Sequence, residues 1–175
     1  MQSNKIIGAD NGKRRERDFY PTPPECTQAL VNYLNLPHNT VIWECASGNG
    51  DMAKVFRDNG YKVIETDILY GQDFMTHSEK CDWIVTNPPF NQAEQFIKRA
   101  ISFNVPFAFL LKSQYWHSRK RLDLFRENPP YAVLPLTWRP DFTGEGSSLM
   151  DMCWVVWKKN ATLYIPLSKP SMGEK

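Results

Sequence analysis

Asn87-Pro88-Pro89-Phe90 is the segment of this chain best equipped for chemistry. It follows a short apolar run, Trp83-Ile84-Val85-Thr86, which predicts a buried strand. The tetrapeptide then forms a stiff turn at a strand's carboxyl end, where open α/β sheets hold their ligands. Each proline fixes φ and removes an N–H donor, leaving carbonyl oxygens to point outward. Asn87 adds a side-chain carbonyl, and Phe90 adds a flat apolar face. Acceptors beside a stacking surface suit a planar substrate that carries an NH₂ group. A proline-stiffened loop with an Asn cap and a buried Phe would use the same residues, so the rest of the chain must decide.

A second constellation lies upstream. Glu44-Cys45-Ala46-Ser47-Gly48-Asn49-Gly50 joins an expected strand to an expected helix. Gly48 and Gly50 allow a tight turn and close backbone approach to a ligand. Asp67 stands at the end of the next strand, where a carboxylate can accept from ribose hydroxyls. Asp73-Phe74 offers a polar group and a ring for a purine. The spacing Gly48-x-Gly50-x-x-Ala53 also satisfies a relaxed dinucleotide fingerprint, so a nicotinamide cofactor is a competing reading. Glu44 argues against it, because a carboxylate in the turn repels a pyrophosphate but can hold a cationic amino-acid moiety. So does Tyr20-Pro21-Thr22-Pro23-Pro24, a segment a dinucleotide site does not require.

The tetrapeptide resembles the (Asp/Asn)-Pro-Pro-(Tyr/Phe) motif of S-adenosylmethionine-dependent amino-methyltransferases. These enzymes methylate adenine N6, cytosine N4 or the glutamine side-chain amide. Phe19-Tyr20-Pro21-Thr22-Pro23 is similar to the opening of small phage-encoded N6-adenine methyltransferases, and the order of the three elements matches that group. Trp138-Arg139-Pro140-x-Phe142, with Trp154 and Trp157, is similar too, and the likeness spans roughly residues 18–160. It implies a Rossmann-like α/β methyltransferase fold, mostly parallel and doubly wound, with an antiparallel last strand. It implies S-adenosylmethionine held by Tyr20, Thr22, Pro23, Glu44, Ala46, Gly48, Gly50, Asp67, Ile68, Asp73, Phe74 and Asn87, and catalysis by Asn87, Pro88, Pro89 and Phe90. The implied reaction is methylation of adenine N6 in DNA. The same reaction on RNA, and a non-catalytic nucleic-acid or cofactor-binding phage module, are the alternatives. The chain departs from larger DNA methyltransferases in showing no separate target-recognition domain. Ser47 and Asn49 also replace residues common in relatives, without loss of a glycine or carboxylate.

Three segments have the composition to meet nucleic acid. Lys13-Arg14-Arg15-Glu16-Arg17 precedes the Tyr20 segment. Lys112–Arg121 mixes bases and aromatics, so Lys112, Arg119 and Lys120 are expected on phosphates and Tyr115 and Trp116 on bases. Arg139 opens a polar connection, Arg139–Ser148, placed to flank the pocket.

These groups need a scaffold, and the chain supplies one. Its 175 residues suit one domain with a sizeable core. At 42% hydrophobic it is not a disordered chain, and no run of 18 apolar residues or signal-peptide h-region is present, so a soluble cytoplasmic protein is expected. A net charge of +2 does not by itself argue for nucleic acid. Cys26, Cys45, Cys81 and Cys153 lack metal-ligand spacing, as do His38, His77 and His117, so buried free thiols and no metal site are expected. Nothing restricts the protein beyond a monomer or homodimer. Residues 1–18 read as a mobile basic arm and 168–175 as a tail. Between them strands alternate with helical patterns, the mark of a parallel α/β sheet. Thr22 and Glu25 form an expected capping box for the first helix, and Gly60 an expected C-terminal stop for the second. Strands are expected at Val41–Glu44, Tyr61–Thr66, Trp83–Thr86, Phe107–Leu111, Ala132–Leu136 and Met152–Trp157, with a helix around Arg119–Arg126.

Overall fold

Strand residues that alternate between two faces, with helices covering both, set this architecture. The computed structural model describes residues 20–144, 146, 150–159, 163–164 and 170–171. The basic arm, Phe19, most of the 168–175 tail and part of the Arg139–Ser148 connection lie outside the described residues. The elements run α1 (Pro24–Leu34), β1 (Val41–Glu44), α2 (Asp51–Asp58), β2 (Lys62–Glu65), β3 (Trp83–Thr86) and α3 (Ala93–Ser102). Then come β4 (Phe107–Lys112), α4 (Leu122–Glu127), β5 (Ala132–Pro135), β6 (Met152–Trp157) and β7 (Leu163–Tyr164).

The strands form one sheet in the order β2-β1-β3-β4-β6-β5-β7. The β1, β2, β3 and β4 pairings are parallel, and β6 runs antiparallel to both β4 and β5. The short β7 pairs parallel with β5 beyond the expected strands. Phe107, Phe109 and Leu111 join Trp43, Ile84 and Val155 on one face, where α3 packs through Phe96, Ile97 and Ala100. Ala108 and Leu110 face the other way with Ile42, Val85, Trp154 and Val156, covered by α1 and α2 through Leu30, Met52 and Phe56. This two-sided burial explains the unbroken apolar run of β4.

The expected capping box does not form. Pro23 occupies the N-cap position of α1, without a side-chain cap. Helix α2 ends as expected, with Asn59 followed by Gly60 at φ +83. The expected helix near Arg119 begins as a 3₁₀ turn, Arg119–Arg121, before α4 proper. Three thiols are buried and Cys81 is half-buried, and none of the four forms a disulfide. Burial pushes Cys81 and Cys153 up to about 11, which keeps both protonated at neutral pH. Among the described residues no helix is long and apolar enough to cross a membrane.

Strand order decides where a site can form. The chain leaves β1 for β2 on one side, then crosses back to place β3 on the other side of β1. The carboxyl ends of β1 and β3 therefore flank the point where the winding reverses, which is where open sheets leave a crevice.

Candidate active site

A cleft of about 940 Å³ opens at that point. The turn after β1, the end of β2 and the corner after β3 all reach it. It is lined by Tyr20, Thr22, Glu44, Ala46, Gly48, Asp67, Ile68, Asp73 and Phe74, and by the whole Asn87–Phe90 corner. Of the residues expected to serve cofactor or catalysis, Pro23 and Gly50 stay outside the lining. Both act as helix entries instead, Pro23 for α1 and Gly50 for α2. Gly50 adopts φ +81, and a Cβ there would stand 2.6 Å from Glu65 Oε2, so glycine is the residue that fits.

The glycine turn is tied down on one side. Ser47 N–H donates to the Thr66 carbonyl at 3.1 Å, and Gly50 N–H to the Ser47 carbonyl at 2.8 Å. Asp67 Oδ2 accepts from Gly48 N–H at 2.9 Å, while Oδ1 accepts from Leu69 N–H at 2.8 Å. Both Asp67 oxygens thus hold backbone, and the carboxylate links the glycine turn to the end of β2. Each keeps a further lone pair for a ligand hydroxyl. Just beyond, Ile68 and Leu69 are 68% and 46% exposed at the cleft rim, an unusual position for large aliphatics. Leu69 had no motif to mark it.

Glu44 lies at the end of β1, 3% exposed. The Ala53 amide, in the first turn of α2, is a lesser influence that favours its charged form. Oε2 is buried with no hydrogen-bond partner. Burial first, and the Glu65 carboxylate second, hold this carboxyl well above the usual range. A cation arriving beside Oε2 would offset that burial.

Phe74 is shared between the cleft lining and the core. It is 2% exposed and stacks on Phe96 at 4.9 Å and on Phe103 at 5.8 Å, so most of its ring belongs to the core. Asp73 Oδ1 accepts from Met75 N–H and fixes the neighbouring turn.

On the other side of the cleft, the Pro89 carbonyl accepts from Gln92 N–H at 2.9 Å and closes a turn into α3. The proline pair therefore leaves Pro88's carbonyl as the candidate acceptor beside Asn87. Asn87 Nδ2 donates to Thr22 Oγ1 at 3.1 Å, and Asn87 Oδ1 is buried without a partner. Phe90 stacks on Tyr20 at 5.3 Å and 30°, and Lys112 Nζ lies over the Phe90 ring at 4.1 Å. Tyr20 also meets Phe142 edge-on at 6.1 Å, which brings the connection after β5 against this side.

The residues expected on nucleic acid separate into two groups. Lys112 reaches the corner, and Arg119 and Lys120 are exposed. Arg139 is exposed and pairs with Asp151 at 2.9 Å. Tyr115 and Trp116 turn inward instead, packing on Phe125 at 6.0 and 4.6 Å. The Arg121 guanidinium covers Tyr115 at 3.9 Å, and burial pushes the Tyr115 phenol up to about 12. Both rings are partly buried, packed against Phe125 of α4 and, for Tyr115, Arg121. Among the described residues no cluster of His, Cys, Asp or Glu could hold a metal ion.

No protein-family model matches the chain, and no curated protein matches it in sequence. Solved structures do. The methyltransferase subunit of a type I restriction-modification system from Streptococcus thermophilus superposes with a TM-score of 0.64 at 12% identity. That match covers 84% of this chain and 47% of the other. A structure from Vibrio vulnificus, assigned as the modification subunit of a type I restriction enzyme, gives 0.61 at 13% identity over 90% of this chain and 49% of its own. The Burkholderia thailandensis 1,6-didemethyltoxoflavin-N1-methyltransferase, solved with S-adenosylhomocysteine, gives 0.51 at 12% identity over 78% and 77%. The chain spans about half the length of the two restriction-system subunits. The fold is the Rossmann-like methyltransferase fold.

Proposed function

We propose that this protein transfers a methyl group from S-adenosylmethionine to the exocyclic N6 of adenine in DNA. One observation carries the reading: a single cleft at the switch point joins the Glu44–Gly48 turn to the Asn87–Phe90 corner. The residues present fit the cofactor. Glu44 Oε2, buried and unpartnered, suits the ammonium of an amino-acid moiety. Asp67 suits ribose hydroxyls, and Ile68 and Leu69 offer apolar surface for the purine. Ala46 and Gly48 bring backbone to the same cleft. When bound, the sulfonium supplies an electrophilic methyl group.

The chain's own contribution is to position a poor nucleophile. An exocyclic amine on adenine has its lone pair delocalised into the ring. Asn87 Oδ1 and the Pro88 carbonyl accept its two hydrogens, which draws the nitrogen toward tetrahedral geometry and aims the lone pair into the cleft. Proximity and alignment supply much of the rate, since held geometry can offset about 7–11 kcal/mol of barrier at best. The corner presents acceptors without a strong base, because the nitrogen becomes acidic on alkylation and gives up its proton readily. Phe90 holds the base plane, with stacking worth about 1–3 kcal/mol per base. Such a base leaves its duplex or arrives single-stranded. Lys112, Arg119, Lys120 and Arg139 supply positive charge for the phosphates.

RNA adenine is the second reading, because the corner reads an amine and not a sugar. Nucleoside mass spectrometry of host DNA and RNA, with and without expression, tests both. N6-methyladenine rising in DNA supports the proposal, a rise in RNA alone selects the second reading, and no rise in either refutes both. A phage origin is part of the proposal and rests on the Phe19–Pro23 resemblance.

A further inference from the structure

The segment before α1 grips Asn87 by one end of its amide. Nδ2 donates to Thr22 Oγ1 at 3.1 Å and lies 3.5 Å from the Tyr20 carbonyl oxygen. The other end, Oδ1, is buried and accepts from no described group. An asparagine amide can turn end for end with almost no change of shape, so its neighbours decide which atom faces where. The Tyr20 carbonyl is an acceptor only, so it attracts the NH₂ end and repels the oxygen. The Thr22 hydroxyl accepts from the same NH₂ and keeps its proton for another acceptor.

Thr22 is available for this task because it is not a helix cap. Pro23 takes the N-cap place and α1 receives no side-chain cap. Pro21 and Pro23 restrict the backbone on either side, and Thr22 itself is 7% exposed. The same segment holds the far end of the corner, where the Tyr20 ring stacks on Phe90.

We infer that Thr22 is a positioning residue: with the Tyr20 carbonyl, its hydroxyl turns the Asn87 amide so that Oδ1 is left as the acceptor for the substrate amine. The inference rests on the methyl-transfer reading of Asn87. It gives Thr22 a role distinct from direct cofactor contact. Without the hydroxyl, the amide populates its reversed orientation, which presents a donor to a donor.

The test compares Thr22→Val, which keeps the shape, with Thr22→Ser, which keeps the hydroxyl. Exchange of the Asn87 side-chain NH₂ protons, followed by ¹⁵N NMR and assigned with Asn87→Ala, reads the grip without needing activity. Losing one hydrogen bond of ordinary strength should speed that exchange by about tenfold in Thr22→Val. Thr22→Ser should stay close to wild type. Turnover on an adenine-containing single-stranded oligonucleotide at saturating S-adenosylmethionine should fall by about tenfold in Thr22→Val, with cofactor Kd unchanged. Thr22→Ser should restore it, and Thr22→Val should have no further effect on an Asn87→Ala background. Unchanged exchange and turnover in Thr22→Val would overturn the inference. So would a rise in cofactor Kd alone, or an equal loss on the Asn87→Ala background. If the wild-type protein methylates no adenine, the functional reading fails, and amide exchange then judges the Thr22–Asn87 grip by itself.

Discussion

Replacing Glu44 with glutamine separates the two things this carboxyl does. The Ala53 amide of the first turn of α2 favours its charged form, and a glutamine carbonyl can still face that amide. Oε2 has no partner in the cleft, and there glutamine places an NH₂ that repels an ammonium. The cost to binding is then one hydrogen bond to a charged group, about 1.5–3 kcal/mol. That corresponds to roughly a 10- to 150-fold rise in the Kd for S-adenosylmethionine or S-adenosylhomocysteine, measured by calorimetry. The stability of the free protein should move the other way. Burial, then Glu65, raises this carboxyl, so the folded state binds its proton more tightly than the unfolded chain. Its contribution to stability is greatest below the ordinary carboxylate range and is lost as pH rises through the raised folded value. Glu44→Gln removes that loss, so its melting temperature should exceed wild type at pH 8 and the gap should close toward pH 5. Wild-type cofactor affinity should tighten with rising pH over the same window, while the variant's stays flat. A variant that binds within about threefold of wild type, well under the cost of one charged hydrogen bond, would refute this account of the cleft.

Asn87→Ala should bind cofactor almost normally yet turn over on the order of a hundredfold more slowly or worse, as when one preorganised polar contact to a reacting centre is lost. Single-turnover assays check it. Gly50→Ala should lower stability by roughly 1–2 kcal/mol from the left-handed backbone alone, with more added by the clash with Glu65 Oε2, as read by denaturant titration. Arg119→Ala and Lys120→Ala should weaken nucleic-acid binding regardless of sequence. Each should reduce the slope of log affinity against log salt by about 0.9, one phosphate's share.

Much of the scaffold could be read locally. Strands β1, β3 and β6 lie where apolar runs place them, because each is short, β-branched or aromatic, and bounded by turn residues. The Asn87–Phe90 corner and the glycine turn were legible because proline and glycine constrain backbone chemically, whatever the tertiary context. What escaped was decided by partners distant in the chain. Thr22 carries an ordinary capping signature, yet its hydroxyl meets a side chain 65 residues away. Tyr115 and Trp116 sit in a basic stretch that suggests base stacking, but Phe125 and Arg121 fold back on them. Strand β7, two residues long, is defined by its pairing with β5 and has too little sequence to show a period. Phe74 lines the cleft, but its packing on three neighbouring aromatics depends on residues distant in the chain.

Phe90 has company on both sides, Tyr20 by stacking and Lys112 by its ammonium. Under the proposed function, a planar guest settling on that ring would trade one contact for another, so its net gain would be a difference between two attractions. Recognition at this spot would then work as a swap, whose cost is common to every guest: it lowers affinity and leaves the difference between guests to the guests themselves.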